Sequence, residues 1–124
     1  MNTNQIHRWM DAFGLAWSSK DVDVVMGLFD KDNIEYFESV FNPPLTDWAA
    51  VKKLWAVVPA NQKDITFSYD IVLSSKASCV IHWNVSRVLL PANEKQLVDG
   101  IFLIRLNNKG LCTFFKQWRA VKAG

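Results

Sequence analysis

The sequence predicts an α+β fold in which a curved antiparallel sheet wraps around N-terminal helices and forms a cone with an internal cavity. Apolar residues recur at helical spacing in the first half of the chain, and apolar and polar residues alternate in much of the second half. The segment Asn107–Gly110 separates two strand-forming runs, and Asn and Gly tolerate the positive φ of a tight hairpin. A chain of 124 residues is expected to form a single domain, residues 1–124.

Three helices are expected in the first half. The first covers Thr3–Ser18, where aromatic residues recur every four positions along one broad apolar stripe. Asp21 then caps a short second helix, because its side chain can accept a hydrogen bond from a backbone N–H of the first turn. The third helix begins near Thr46 or Asp47 and ends before Pro59.

Five strands are expected. A short strand, residues 34–38, precedes a loop that contains two consecutive prolines. Two further strands, residues 65–74 and 79–87, alternate apolar and polar residues, which indicates one buried face. The last two strands, residues 97–106 and 111–121, carry apolar residues on both faces. Since the helices can cover one face only, we expect a homodimer that buries the outer face of the sheet.

Composition and charge exclude several classes of function. The net charge is +2 and no long run of Lys or Arg occurs, which argues against a nucleic-acid partner. No apolar segment is as long as a membrane span, and the amphipathic N-terminus differs from a secretory signal, so we expect a cytoplasmic protein without a membrane partner. Cys79 and Cys112 are interpreted as buried reduced thiols, with a disulfide open only if their strands are neighbours. No zinc-ligand spacing occurs, and no metal or cofactor is expected.

Several short motifs, taken in order, match a known pattern. They are Trp17 before Lys20-Asp21, Leu28-Phe29 with Asp32-Asn33, Ile81-His82-Trp83, and Val98-Asp99-Gly100-Ile101 through Arg105, Gly110, Cys112 and Trp118. In order and spacing they resemble the SnoaL-like branch of the nuclear transport factor 2-like superfamily, over nearly the whole chain. That superfamily includes ketosteroid isomerases, polyketide cyclases, dehydratases, epoxide hydrolases and binding proteins without activity. The resemblance therefore implies the fold and a pocket, but no single function.

The resemblance also implies positions for candidate catalytic residues. Isomerase-type members carry a carboxylate at the end of the first strand, where Glu38 falls. A carboxylate at the mouth of an apolar cavity can act as a general base, although an exposed loop-edge residue is the simpler alternative for Glu38. Tyr36 is a substitute for a deep acidic donor. Arg119 could hold a carboxylate or an enolate at the cavity mouth, or it could be solvated near the C-terminus.

The remaining candidates are expected to bind a ligand. By the resemblance, the cavity side of the last strand presents Thr113, Phe115 and Gln117, besides Arg119. Strand parity adds apolar wall positions on the earlier strands: Ile34, Ile81, Trp83 and Phe102. The same parity directs His82 and Asp99 outward, so neither is a catalytic candidate.

Three functions remain open at the level of the sequence. The first is a protein that binds a small apolar or amphipathic molecule of unknown identity. The second is a cofactor-independent isomerase, cyclase or dehydratase that uses Glu38 as general base on a polyketide-, steroid- or terpenoid-like substrate. The third is a protein whose outer sheet face serves mainly for assembly. Phe102 stands where an acidic donor is expected, and no Asp-Arg-Asp or His-Asp set shares inward parity, which favours the first.

Overall fold

The computed structural model describes residues 1–124 and contains three α-helices, one short 3-10 helix and a five-stranded sheet. The elements are α1 (Thr3–Ser19), α2 (Val22–Met26), β1 (Glu35–Phe37), α3 (Trp48–Val57), the 3-10 helix (Pro59–Asn61), β2 (Gln62–Ser74), β3 (Cys79–Leu89), β4 (Glu94–Leu106) and β5 (Cys112–Ala123). The α+β fold and the order of its elements are those expected from the sequence. The curved sheet remains unclosed, with the N-terminal helices against its concave face.

Of the three α-helices, α1 contributes the most apolar residues to the core. Its N-terminus is fixed by a capping box, in which the Asn2 and Gln5 side chains each accept a hydrogen bond from the other's backbone N–H, both at 2.9 Å. The helix ends at Lys20, which has the left-handed conformation with φ of 58°. One side of α1 is buried against the sheet, through Ile6, Trp9, Met10, Phe13 and Trp17. The last turn of this helix lies beside the pocket described below.

The strand order of the sheet is β1-β5-β4-β3-β2. Strands β2 to β5 pair antiparallel, whereas β1 pairs parallel with β5. The sheet is therefore antiparallel, as expected, except at this edge. The physical reason is the connection: α3 and three strands intervene between β1 and β5, and so long a crossover can return the chain in the same direction. A short turn between adjacent strands could not do this, because it reverses the direction of the chain.

One aromatic ring from each strand lies on the concave face, and together we call them the aromatic row: Phe67, Trp83, Phe102, Phe115 and Tyr36. Neighbouring ring centroids in this row are 4.6 to 6.2 Å apart. Gly100 makes room for the row, because a Cβ at that position would lie 2.7 Å from Trp83 Cε2 and 2.6 Å from the Trp118 carbonyl oxygen. The close approach of strand and indole therefore requires glycine there.

The start of β5 departs from simple alternation. Cys112 and Phe115 are both fully buried although three positions separate them, while Thr113 is only partly buried. A register shift explains the difference, since Arg105 pairs with Phe114 but Leu106 pairs with Cys112, which leaves Thr113 without a partner in the register. The expectation that Thr113 faces the cavity is therefore wrong.

The two cysteines lie on β3 and β5, and β4 runs between those strands. A disulfide within the chain is excluded because the strands are not neighbours, and both thiols are free. Burial raises the pKa of the Cys112 thiol to about 12, so this thiol is an inert part of the core. None of the helices combines the length and the apolar character that crossing a bilayer requires.

Candidate functional site

A pocket of about 300 Å³ lies between α1, α3 and the concave face of the sheet. Twelve of its 18 lining residues are apolar. Four members of the aromatic row line it, together with Phe13 and Trp17 of α1 and Leu54, Trp55 and Val57 of α3. An apolar wall with a few polar groups is the usual chemistry of a small-molecule site.

The pocket opens to solvent beyond the end of α3. Val57 and Val58 line it and are 62% and 40% exposed, although apolar side chains normally avoid water. Pro59 ends the helix and turns the chain away, so no element covers this side. The sequence predicted an internal cavity, whereas the pocket in the structure is open on this side.

The structure brings seven of the nine candidate residues to this pocket: Tyr36, Glu38, Trp83, Phe102, Phe115, Gln117 and Arg119. Ile34 and Ile81 are buried in the core but do not contribute to the lining. Ile34 precedes β1, and Ile81 lies two residues before Trp83 on β3. Parity predicts which face of the sheet a residue occupies but not where along the strand the pocket lies, and this explains the difference.

Glu38, Gln117 and Arg119 form one connected group at the mouth. The Arg119 guanidinium donates from Nη2 to Glu38 Oε1 at 3.3 Å and from Nη1 to Gln117 Oε1 at 3.1 Å. Gln117 Nε2 in turn donates to the Phe37 carbonyl at 3.3 Å, which ties the group to β1. Glu38 Oε2 makes no hydrogen bond with the chain, so this oxygen can accept a proton or a hydrogen bond from a ligand.

Tyr36 provides a neutral donor near this group, at the β1 end of the aromatic row. Its hydroxyl oxygen accepts a hydrogen bond from Trp55 Nε1 at 3.1 Å, and its own O–H finds no acceptor within the chain. Burial raises the pKa of Tyr36 well above its ordinary value, and the charge of Glu38 raises it further. The phenol therefore keeps its proton at neutral pH and can donate a hydrogen bond to a ligand oxygen.

Two indole groups in the pocket wall differ in their hydrogen bonding. Trp17 Nε1 donates to Gln62 Oε1 at 3.1 Å, and Gln62 is itself buried. Trp83 Nε1 is buried without any acceptor, and it is the one buried side-chain nitrogen or oxygen of the chain in this condition. Such an unpaired donor is rare in folded proteins and calls for a specific explanation.

Several lining residues escaped the reasoning from sequence. Arg87 has the same parity as Trp83 within the third predicted strand, so parity alone could have identified it. Asn61 and Gln62 lie at the junction of the 3-10 helix and β2, where neither helical nor strand periodicity applies. The α3 residues carry no signal in the sequence, because apolar helix positions that line a pocket look like core positions.

Other titratable groups lie away from the pocket. On the outer face, His82 Nε2 is 2.8 Å from Asp99 Oδ2. Between α1 and β2, the Tyr69 hydroxyl donates to Asp11 Oδ1 at 2.7 Å and contacts His7 Nδ1 at the same distance. No group of three or more His, Cys, Asp or Glu side chains is arranged to hold a metal ion.

Solved structures of similar architecture cover nearly the whole chain. RV0760c from Mycobacterium tuberculosis has a TM-score of 0.79 and 16% identity, with 100% of this chain and 99% of that chain covered. A second structure of RV0760c is a complex with estradiol-17beta-hemisuccinate. The epoxide hydrolase/cyclase-like enzyme SalBIII has a TM-score of 0.83 and 11% identity over 100% of both chains. Delta 5-3-ketosteroid isomerase from Mycobacterium sp. has a TM-score of 0.75 and 14% identity, over 95% of this chain and 98% of that chain.

Identities this low show a common fold and leave activity open. No curated protein matches the sequence. The sequence pattern of one family, described as the SnoaL-like domain, matches residues 6–114. This match covers both the helices and most of the sheet that form the pocket. The chain therefore belongs to the family of SnoaL-like domains.

Proposed function

We propose that this protein binds a small apolar or amphipathic molecule in the pocket between α1, α3 and the sheet. The observation that carries the proposal is the Trp83 indole, which lines the pocket and whose Nε1 is buried without an acceptor. Leaving a buried donor unpaired costs about 1–3 kcal/mol. A ligand that supplies an acceptor oxygen to Trp83 would remove this cost.

The size and lining of the pocket support the proposal. A volume of about 300 Å³ is at the lower end of the range of small-molecule sites. The aromatic row offers flat apolar surfaces, which suit fused-ring ligands. The complex of RV0760c with estradiol-17beta-hemisuccinate is consistent with a ligand of this shape in this fold.

Titration calorimetry with ring ketones tests the proposal, with estrone and 2-acetylnaphthalene as the first probes. We expect binding to the natural sequence, and Trp83→Phe should weaken it about tenfold, because the ring remains and the donor is lost. Trp118→Phe is the matched control, since this indole lies on the outer face and is 40% exposed. Equal affinity of Trp83→Phe and the natural sequence would contradict the role of the indole N–H.

A catalytic function is the second candidate, and the free Oε2 of Glu38 favours it. In this mechanism Glu38 removes a proton next to a substrate carbonyl, and the Tyr36 O–H donates a hydrogen bond to the enolate oxygen. Arg119 holds the other oxygen of Glu38 and so orients the carboxylate. The chemistry needs no cofactor, because both groups belong to the chain.

Isomerisation of a Δ5-3-ketosteroid, followed by the absorbance of the conjugated product, tests the catalytic candidate. We expect Glu38→Gln to retain ligand binding and to lower turnover by roughly two or more orders of magnitude. Glu35→Gln is the matched control, because Glu35 is exposed on the opposite side of the same strand. If the protein only binds, no turnover will exist, and Glu38→Gln will change affinity modestly.

A further inference from the structure

Two arginines line the pocket, and they differ in their partners. Arg119 is paired with the carboxylate of Glu38. Arg87 lines the same pocket and has no carboxylate partner anywhere in the chain. Buried or partly buried guanidinium groups are normally paired with an anion, so the condition of Arg87 needs an explanation.

The hydrogen bonds of Arg87 leave part of its guanidinium free. Nε and Nη2 both donate to the single oxygen Gln96 Oε1, at 3.2 and 3.1 Å. This contact holds the guanidinium by one edge and does not neutralise it, because an amide oxygen is uncharged. Nη1 makes no hydrogen bond with the chain, so its donors are available to a molecule in the pocket.

The surroundings of Arg87 disfavour its positive charge. The residue is half-buried beside the apolar wall formed by Val98 and Leu89. Burial lowers the pKa of Arg87, and the positive charge of Arg119 lowers it further. A partly desolvated cation next to a second cation is a site that gains from binding an anion.

We propose that the ligand of this pocket carries a carboxylate, or another planar oxyanion, which pairs with Arg87 while the apolar part of the ligand lies along the aromatic row. This inference rests on the proposed binding function and adds the chemical class of the ligand. A guanidinium matches a carboxylate with two parallel N–H···O hydrogen bonds, which a lysine could not form. Arg119 supports the same head group through its charge, since its Nη1 and Nη2 already donate to Gln117 and Glu38.

The first experiment compares matched probes that differ only in charge. The pairs are 2-naphthoate with 2-naphthamide, and estradiol-17β-hemisuccinate with its methyl ester, each titrated by calorimetry. We expect the anionic member of each pair to bind roughly ten- to a hundredfold more tightly, which is the scale of a charged hydrogen bond. Raising the salt concentration should weaken the anion more than its neutral partner.

The second experiment changes the charge around Arg87 and retains its position. Gln96→Glu places a carboxylate where Arg87 already donates two hydrogen bonds, so the variant supplies an internal competitor for the ligand. We expect it to remove most of the preference for the anion. Gln5→Glu is the matched control, because it makes the same change of charge in the capping box of α1, away from the pocket.

A third variant removes the cation. Arg87→Met retains an apolar stem of similar length, and it should abolish the preference for the anion, so that both members of each pair bind with similar affinity. Arg105→Met is its control, since Arg105 is an exposed arginine over the Phe114 ring on the outer face. Arg87→Lys should restore part of the preference, because it restores the charge but not the planar geometry.

The outcomes separate this inference from the function on which it rests. Equal affinity for both members of each pair would overturn the inference and leave the binding function intact. A preference for the anion that survives both Gln96→Glu and Arg87→Met would also overturn it, because the preference would then arise elsewhere. Failure of all four probes to bind the natural sequence would overturn both proposals.

Discussion

The two faces of the sheet use the same strands in different ways. On the concave face, the aromatic row and the residues beside it are buried, and their polar groups are held by hydrogen bonds or lie in the pocket wall. On the outer face, Ile101 and Leu103 are only half-buried, and Trp118 is 40% exposed. Lys116 Nζ lies 5.1 Å from the ring centroid of Trp118, a distance at which the cation and the ring attract each other. The comparison teaches that the helices of the chain cover most of the concave face, whereas the outer face has no helix packed against it.

The largest expected effect is a difference in the free energy of unfolding between alanine variants of two adjacent phenylalanines of β5. Phe115 is 1% exposed and contacts five other rings of the core, whereas Phe114 lies half-buried on the outer face beside Arg105. We expect Phe115→Ala to lower the free energy of unfolding by about 3–5 kcal/mol. Phe114→Ala should cost clearly less in a dilute monomer. Urea titrations of both variants measure the difference, and equal losses would contradict the comparison.

The second prediction concerns assembly through the outer face, which we propose to be the interface of a homodimer. Trp118→Glu places a charge in the middle of this apolar surface. If Trp118 is a central interface residue, the variant should weaken the free energy of association by about 2–4 kcal/mol. This raises the dissociation constant of the dimer roughly 30- to 1,000-fold. Light scattering and sedimentation over a concentration series measure it. The mass of one chain for the natural sequence at micromolar concentration would rule out the dimer.

The third prediction tests the close approach at Gly100. Gly100→Ala inserts a Cβ at 2.6 Å from a backbone oxygen and 2.7 Å from the Trp83 ring, so strand or ring must shift. We expect a loss of about 1–3 kcal/mol of stability and weaker ligand binding, because Trp83 forms part of the pocket wall. Gly27→Ala is the control, since its Cβ would meet nothing nearer than 3.4 Å. Similar melting temperatures for the two variants would refute the steric argument.

The smallest effect is a dependence of stability on alkaline pH. The pKa of Tyr36 is raised in the folded protein, so the folded state retains a proton that the unfolded chain loses near pH 10. The contribution is fully present below about pH 10 and is lost as the pH rises, with a slope of at most about 1.4 kcal/mol per pH unit. We expect Tyr36→Phe to reduce this slope in denaturation measured between about pH 9 and 11. An unchanged slope would show that other groups, such as Tyr69, cause it.

Strand parity predicted much of the concave face before any coordinates. It directed Trp83 and Phe102 inward, and the hairpin at Asn107–Gly110 set the pairing of β4 with β5. The resemblance directed Gln117 inward correctly but failed at Thr113, because a bulge changes the register there and no residue type marks it. The parallel pairing of β1 also lay beyond the sequence, because it depends on how a long crossover returns.

The polar part of the pocket was harder to predict than its apolar wall. The ion pair between Glu38 and Arg119 joins residues 81 positions apart, and only the pairing of β1 with β5 brings them together. Gln96 holds Arg87 across a pair of strands whose full length was underestimated from the sequence. Contacts of this kind follow from register and twist, whereas an apolar pattern follows from periodicity alone.

The indoles around the pocket give this protein an intrinsic optical probe. The rings of Trp17, Trp55 and Trp83 all line the pocket, and the centroid of Trp17 is 5.8 Å from that of Trp55 and 5.7 Å from that of Trp83. Chromophores this close share their excited states, so their ultraviolet circular dichroism reports their mutual orientation rather than three separate environments. A molecule entering the pocket would change that signal without any label. The spectrum of the unmodified chain can therefore be used to screen for its ligand.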